Sequence, residues 1–271
     1  MKINQSTGRD LLELSTSDTL SNWYSHHPTA LSTPKLLLLP YSAHHVPTYH
    51  EWMQSPTLQA LTASEPLTLE EEYAMQRSWR TDADKLTFII CQPLPPDSPS
   101  IKGGVVRGSQ EEEMIGDINL FLSSPDHDDD DDDDGGGVGE RNRDGKDEGG
   151  VVGEIELMIA VRSLHRQGFG RASLLTFLSY ILTHWAEIAA EYATSTTLLR
   201  YLRVRINETN GRSIALFEST GFLKTTEKAN YFGELELRWR PSMTKLRESK
   251  GWESLEELRY EEPEDTEDRV G

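Results

Sequence analysis

The chain has 271 residues, a formal net charge of −19 and 36% apolar residues, enough for one substantial core, though length alone permits two domains. Its single cysteine, Cys91, rules out an internal disulfide and fits a reducing compartment. No apolar run approaches the ~20 residues of a membrane span. The start of the chain lacks the charged-then-apolar pattern of a secretion signal. The acidic balance argues against nucleic-acid binding, which rests on clustered Lys and Arg. A cytoplasmic protein is expected, with the nucleus also open.

That charge is unevenly spread. Residues 125–150 hold 12 acids against 3 bases and residues 244–271 hold 10 against 5, so the remainder carries only −5. In chain order, residues 1–34 read as a partly irregular extension. The run 36–39 predicts a first strand. Residues 43–55 read as a helix and 69–80 as a second, entered through Thr68 as its cap. Strands are predicted over 86–91 and 114–122, separated by a Pro-rich linker over 92–100. The run Asp128 to Asp134, followed by three glycines, cannot bury apolar surface and repels itself. Residues 123–150 are therefore expected to be a disordered insertion; a calcium loop needs oxygens at set spacings. Doubling a loop costs only ~0.6 kcal/mol, so the insertion should be dispensable for folding.

Residues 154–160 give the central strand. Over 170–187, Leu174, Leu175, Leu178, Ile181, Leu182 and Trp185 recur on one helical face. A strand over 198–206, a short helix from the Asn210 cap to Gly221, and a hairpin over 222–239 complete a domain spanning 35–240. The acidic tail 241–271 is expected to be disordered. Strands interleaved with helices predict an α/β (α+β) architecture, with a mixed central sheet and helices on both faces.

The run His165-Arg166-Gln167-Gly168-Phe169-Gly170-Arg171-Ala172 is the most informative stretch. A strand, a glycine-bearing turn and a helix start together make an anion cradle. Glycines let the backbone approach a ligand, and the unpaired N–H groups of the first helical turn point at negative charge, which suits a pyrophosphate. Further along comes Asn210-Gly211-Arg212-Ser213-Ile214-Ala215-Leu216-Phe217-Glu218-Ser219-Thr220-Gly221-Phe222, with Ile214 and Phe217 on one helix face. Two such runs in this order resemble the motifs of the GNAT superfamily of N-acetyltransferases, Arg/Gln-x-x-Gly-x-Gly/Ala and Asn-x-x-Ser-x-x-Leu-Tyr/Phe-x-x-x-Gly-Phe. Two departures stand out: His165 at the first position, and Phe217 where many relatives have Tyr. The opening five residues and the segments 41–53, 61–75, 84–89, 116–122 and 153–156 resemble the N-acetyltransferase 9 family. The likeness covers roughly 35–122 and 151–240.

The resemblance implies a GNAT fold and acetyl-CoA as co-substrate. It implies much less about the acceptor: the expected reaction is transfer to a protein or peptide amine, N-terminal or Lys, with a small-molecule amine ranked lower. Direct attack in a ternary complex is expected, since nothing marks Cys91 as a covalent carrier. The competing reading, kept alive by His165 and Phe217, is a non-catalytic binding or scaffold protein on the same fold. Cofactor contacts are expected from the backbone of Arg166, Gln167, Gly168, Phe169, Gly170 and Arg171, and from Asn210, Ser213 and Phe217. Arg166 and Arg171 could add charge or be plain surface. The resemblance puts the oxyanion against N–H groups of Met158, Ile159 and Ala160, where the central strand splays from its neighbour.

Amine attack on a thioester needs a base within hydrogen-bond reach. Glu154 and Glu156 share one face of the central strand, so Glu156 is the first candidate and Glu154 the second; each could instead pair with a neighbouring Lys or Arg. Tyr231 stands in for the hydroxyl Phe217 lacks, or contacts the acceptor, or merely covers the core. Glu65, Glu71 and Glu72 could attract a cationic amine, although acids at a helix start are favoured by the macrodipole in any case. No metal-ligand spacing and no Ser-His-Asp arrangement is visible. No nucleic-acid or membrane partner is expected, and the oligomeric state is open.

Overall fold

The computed structural model describes residues 28–95, 97–108, 110–125, 150–193 and 198–263. Apart from its ends, the acidic insertion over 123–150 lies outside the described residues, as do 1–27 and 264–271.

Strands β1 (Thr29–Ser32) and β2 (Leu37–Pro40) flank a tight turn in which Thr33 N–H donates to Leu36 O at 3.0 Å; Pro34 supplies its fixed φ there. Helices α1 (Val46–Met53), α2 (Pro56–Thr62) and α3 (Leu69–Thr81) follow. Pro at the first or second position starts α1 and α2. A capping box starts α3: Glu71 accepts the Thr68 N–H at 2.8 Å and returns its own N–H to the Thr68 hydroxyl at 3.3 Å. Then come β3 (Lys85–Cys91), β4 (Ile101–Lys102), β5 (Val105–Arg107), β6 (Met114–Ser123) and β7 (Gly150–Ile159). Helices α4 (Phe169–Thr183) and α5 (Trp185–Tyr192) precede β8 (Leu198–Asn207), α6 (Gly211–Glu218), β9 (Leu223–Lys224) and β10 (Glu234–Trp239). The chain continues into α7 (Met243–Glu248) and β11 (Glu256–Glu261).

The strands form one mixed sheet in the order β4-β5-β11-β1-β2-β3-β6-β7-β8-β10-β9. Helices cover both faces. Against one face, Phe177, Leu174, Leu178 and Ile181 of α4 pack with Phe88, Ile118, Leu120 and Ile155. Against the other, Val46, Tyr49 and Met53 of α1 pack with Leu37, Leu39, Ile89 and Met158. Full burial of each such side chain is worth ~1.5–3 kcal/mol. Side chains alternate along β7: Ile155 faces α4, while Glu154, Glu156 and Met158 face the α1–α3 side.

Three expectations need correction. The tail is not disordered throughout: residues 243–263 are structured, and β11 is seated between β5 and β1. Its acidity hid a strand alternation in which Leu258 and Tyr260 are buried while the charges point outward. The helix expected over 170–187 breaks at His184, whose φ of −107° and ψ of 19° end α4. The linker 92–100 leads into the β4–β5 hairpin, too short for a period-2 pattern to register.

Candidate active site

Strand β7 pairs antiparallel with β6 along its whole upper length, to Ile159 opposite Gly116. Its parallel pairing with β8 stops at Glu154 opposite Arg203. Beyond that rung the two strands separate, leaving an open gap beside residues 155–159. Ala160 gives its N–H to Ile115 O at 2.8 Å. Along a strand the donors alternate in direction, so Met158 shares this orientation toward β6, and only Ile159 of the expected oxyanion trio directs its N–H into the gap. That corrects the expectation for Met158 and Ala160.

The cradle follows. His165 Nε2 lies 2.8 Å from Ile159 O and donates to it, so this side chain fastens the loop to the end of β7. Arg166 has φ +64° and Gly168 φ +90°, two left-handed residues that turn the chain into α4. Gly168 is the N-cap and brings no capping side chain; the first helical bond runs from Ala172 N–H to Gly168 O at 3.0 Å. The amides of Phe169, Gly170 and Arg171 thus form the unsatisfied first turn that an anion can take. A Cβ on Gly168 would meet nothing nearer than Lys35 Cε at 4.0 Å, so glycine is needed there for its φ; a Cβ on Gly170 would press on Leu216 at 3.3 Å. Gln167 donates to Ser163 O at 2.8 Å, bracing the loop.

Charge at the cradle comes from an unexpected residue. Arg171 reaches Ser219 and Lys250 O, tying α4 to the end of α6 and the loop after α7, so its side chain is engaged there while its amide stays in the cradle. Lys35, in the β1–β2 turn, holds its Nζ 4.4 Å from the Phe169 ring centroid. No motif or spacing marks Lys35, because turn and helix start are far apart in sequence.

The second motif is mainly architectural. The Asn210 side chain caps α6 by accepting Ser213 N–H at 3.2 Å. Phe217 is 3% exposed and packs edge-on against Phe222, centroids 5.1 Å apart. It is a core residue, which corrects its expected contact with the cofactor.

The carboxylates separate cleanly. Glu154 accepts from Arg203 Nε at 2.9 Å and lies 3.3 Å from Arg205 Nη1, while Glu236 on β10 neighbours both arginines. Glu154 is thus engaged with two arginines, which favours Glu156 as the carboxyl left for the chemistry. Glu156 is open to solvent, yet protein atoms surround its carboxyl closely, the condition of a group on a cleft floor. Desolvation, then the charges of Asp117 and Glu154, push it up to about 7. Glu71 is spent on its capping box, and Glu65 is exposed. Glu72 is buried at 2% exposure, 3.9 Å from His50 Nδ1. Tyr231 is 97% exposed at the hairpin tip, against Phe232 alone. Nothing holds its hydroxyl, so its catalytic role is withdrawn. Among the described residues no group of His, Cys, Asp and Glu could hold a metal ion, and no helix is long and apolar enough to cross a membrane.

The family model described as "Acetyltransferase (GNAT) domain" matches residues 35–223. An "N-acetyltransferase 9-like protein" from Schizosaccharomyces pombe is 39% identical over 213 residues, covering 77% of this chain and 94% of its own. "Alpha/beta-tubulin-N-acetyltransferase 9" from Homo sapiens is 38% identical over 212 residues, covering 78% and 82%. A solved spermidine N-acetyltransferase from Vibrio cholerae, in complex with CoA and spermine, has a TM-score of 0.49 at 13% identity, covering 79% of this chain and 99% of that one. The chain belongs to the GNAT family of acetyltransferases, among its N-acetyltransferase 9-like members, and is an acyltransferase.

Proposed function

We propose that the protein acetylates a primary amine of a protein, using acetyl-CoA, with α/β-tubulin the first acceptor to try. The observation that carries the reading is Glu156: a solvent-reachable carboxyl pushed up to about 7, on β7 just beyond the rung where its pairing with β8 ends. Acetyl-CoA supplies the activated acyl group. The amides of the first turn of α4 and Lys35 hold its pyrophosphate, and the Ile159 N–H meets the charge that develops on the carbonyl oxygen. Glu156 takes one proton from the acceptor's ammonium and frees the amine to attack; the second proton departs with the thiol. A thiol of pKa ~8.5 leaves without a dedicated acid, which suits a buried Phe217. Cys91 is fully buried and its thiol pushed well up by desolvation, so it is no acyl carrier, and attack is direct. Tubulin as acceptor rests on the names of the relatives alone.

The test is radiolabelled acetyl transfer to α/β-tubulin dimers and to a peptide with a free α-amine. Glu156→Gln should slow turnover by about 10²-fold or more while acetyl-CoA binds as before. Unchanged turnover in that variant removes the base assignment. Wild-type protein that binds acetyl-CoA but acetylates neither acceptor removes the protein-amine reading.

A further inference from the structure

The face of β6 and β7 turned toward α1 and α3 carries a second carboxyl. Asn119 lies directly opposite Glu156, and Asp117 directly opposite Met158. Asp117 and Glu156 are therefore diagonal neighbours on one face of an antiparallel pair, a separation of about 7–8 Å between Cα atoms. Asp117 is 3% exposed. Asn119 Nδ2 donates to its Oδ2 at 2.7 Å, and Oδ1 has no partner. The Tyr41 hydroxyl, the Thr87 hydroxyl, Asn119 Oδ1 and Glu72 Oε2 are likewise buried without partners.

The titratable groups that feel the charge of Asp117 are Tyr41 after β2, Tyr49 of α1 and Glu156 on β7; Glu72 and Tyr73 of α3 lie behind Tyr41, with His50 beside Glu72. None is a lysine or arginine; the arginines of β8 are engaged with Glu154 and Glu236. A buried carboxylate in such company has no counter-ion, and ionising it beside an ionised Glu156 is unfavourable.

We propose that Asp117 is a positioning residue of this site, a buried carboxyl that shares one proton with Glu156 across the β6–β7 ladder and keeps Glu156 basic enough to deprotonate an ammonium. The pair holds one proton before and after the step: the ammonium's proton moves to Glu156 and cancels that carboxylate's charge, Asp117 releases its own proton to solvent, and the amine is left neutral. The upward push on Asp117, to about 7 with desolvation as first cause, agrees with this arrangement. The inference rests on Glu156 as base, and the experiment separates the two.

Full-length wild type, Asp117→Asn and Glu156→Gln are compared. The rate kcat/KM for an α-amine peptide is followed from pH 5 to 9 at saturating acetyl-CoA, and acetyl-CoA binding is measured calorimetrically. Asp117→Asn should move the acidic limb down by one pH unit or more and leave the acetyl-CoA Kd unchanged. An acidic limb that stays in place, while Glu156→Gln still slows turnover, overturns the inference and spares the base. Unchanged turnover in Glu156→Gln overturns the base and the inference with it. Infrared difference spectra of the carboxyl band need no acceptor and serve if the Asp117 variant folds poorly. Wild type should show a protonated buried carboxyl at pH 6 that is lost by pH 9, and Glu156→Gln should lose that band at lower pH. An Asp117 already ionised at pH 5 in both proteins refutes the pairing.

Discussion

Asp117→Asn offers a test on the fold itself. Asp117 has an ordinary carboxyl value of 3.8 when solvated and about 7 in the folded protein, because burial removes it from water faster than the Asn119 hydrogen bond repays. The folded chain therefore holds a proton between pH 4 and 7 that the unfolded chain has released. Stability from this group is fully present below pH ~4, falls as pH rises to ~7, and is flat above. Three pH units correspond to about 4 kcal/mol of destabilisation by ionised Asp117 at pH 8, an upper figure because local relaxation reduces it. Asparagine keeps the shape and cannot ionise, so the variant should match wild type near pH 4.5 and exceed it at pH 8. Urea unfolding followed by circular dichroism reads this directly. With a slope of ~2–3 kcal/mol per M, the midpoint should rise by about 1–2 M at pH 8 with the slope unchanged. Equal midpoint differences at pH 5 and pH 8 would refute the reasoning, because a carboxyl ionised in both states cannot produce a pH-dependent difference.

Gly168→Val should weaken acetyl-CoA by at least about tenfold in calorimetry, since a β-branched residue at φ +90° costs on the order of 1–3 kcal/mol or rearranges the loop; retained affinity would show that the cradle is not where the pyrophosphate sits. Lys35→Met should weaken CoA several-fold and leave pantetheine unchanged, and equal loss for both ligands would place Lys35 away from the phosphates. Tyr231→Ala should leave kcat unaltered, because its hydroxyl is solvated and unheld; a fall in kcat with unchanged KM would restore it as an acid. Arg203→Met should cost about 1–3 kcal/mol in urea unfolding, since the buried guanidinium is lost from a partly exposed Glu154, and a neutral result would show that Arg205 alone can balance both glutamates.

Much of this site could be read from the residues. The cradle announced itself through Gly168 and Gly170 after a strand, and Glu156 through strand alternation, because both signals are local. What escaped was long-range. Lys35 reaches Phe169 across the sheet, and Asp117 meets Glu156 only because β6 and β7 are paired in one particular register. Arg171 shows the reverse failure: a cation in the right motif was drawn off by Ser219 and Lys250, partners no spacing rule could supply. Composition misled where it was averaged. A run of acids over 241–271 read as solvated chain, while Leu258 and Tyr260 at alternate positions were enough to seat a strand.

Strand β11 has a consequence for how the molecule comes into being. It pairs Thr29 with Arg259, and it anchors the α1–α3 layer through Tyr260, whose hydroxyl lies 2.9 Å from His44 Nε2, and through the ion pair of Glu262 with Arg80 on α3. Contacts so distant in sequence close late, after their loop entropy has been met. During synthesis the cradle and central strands can form before β11 has left the ribosome, but β1 then waits with an unpaired edge. A nascent chain at that stage is a partly built sheet open to aggregation, and that layer is completed only once β11 zips β1 to β5.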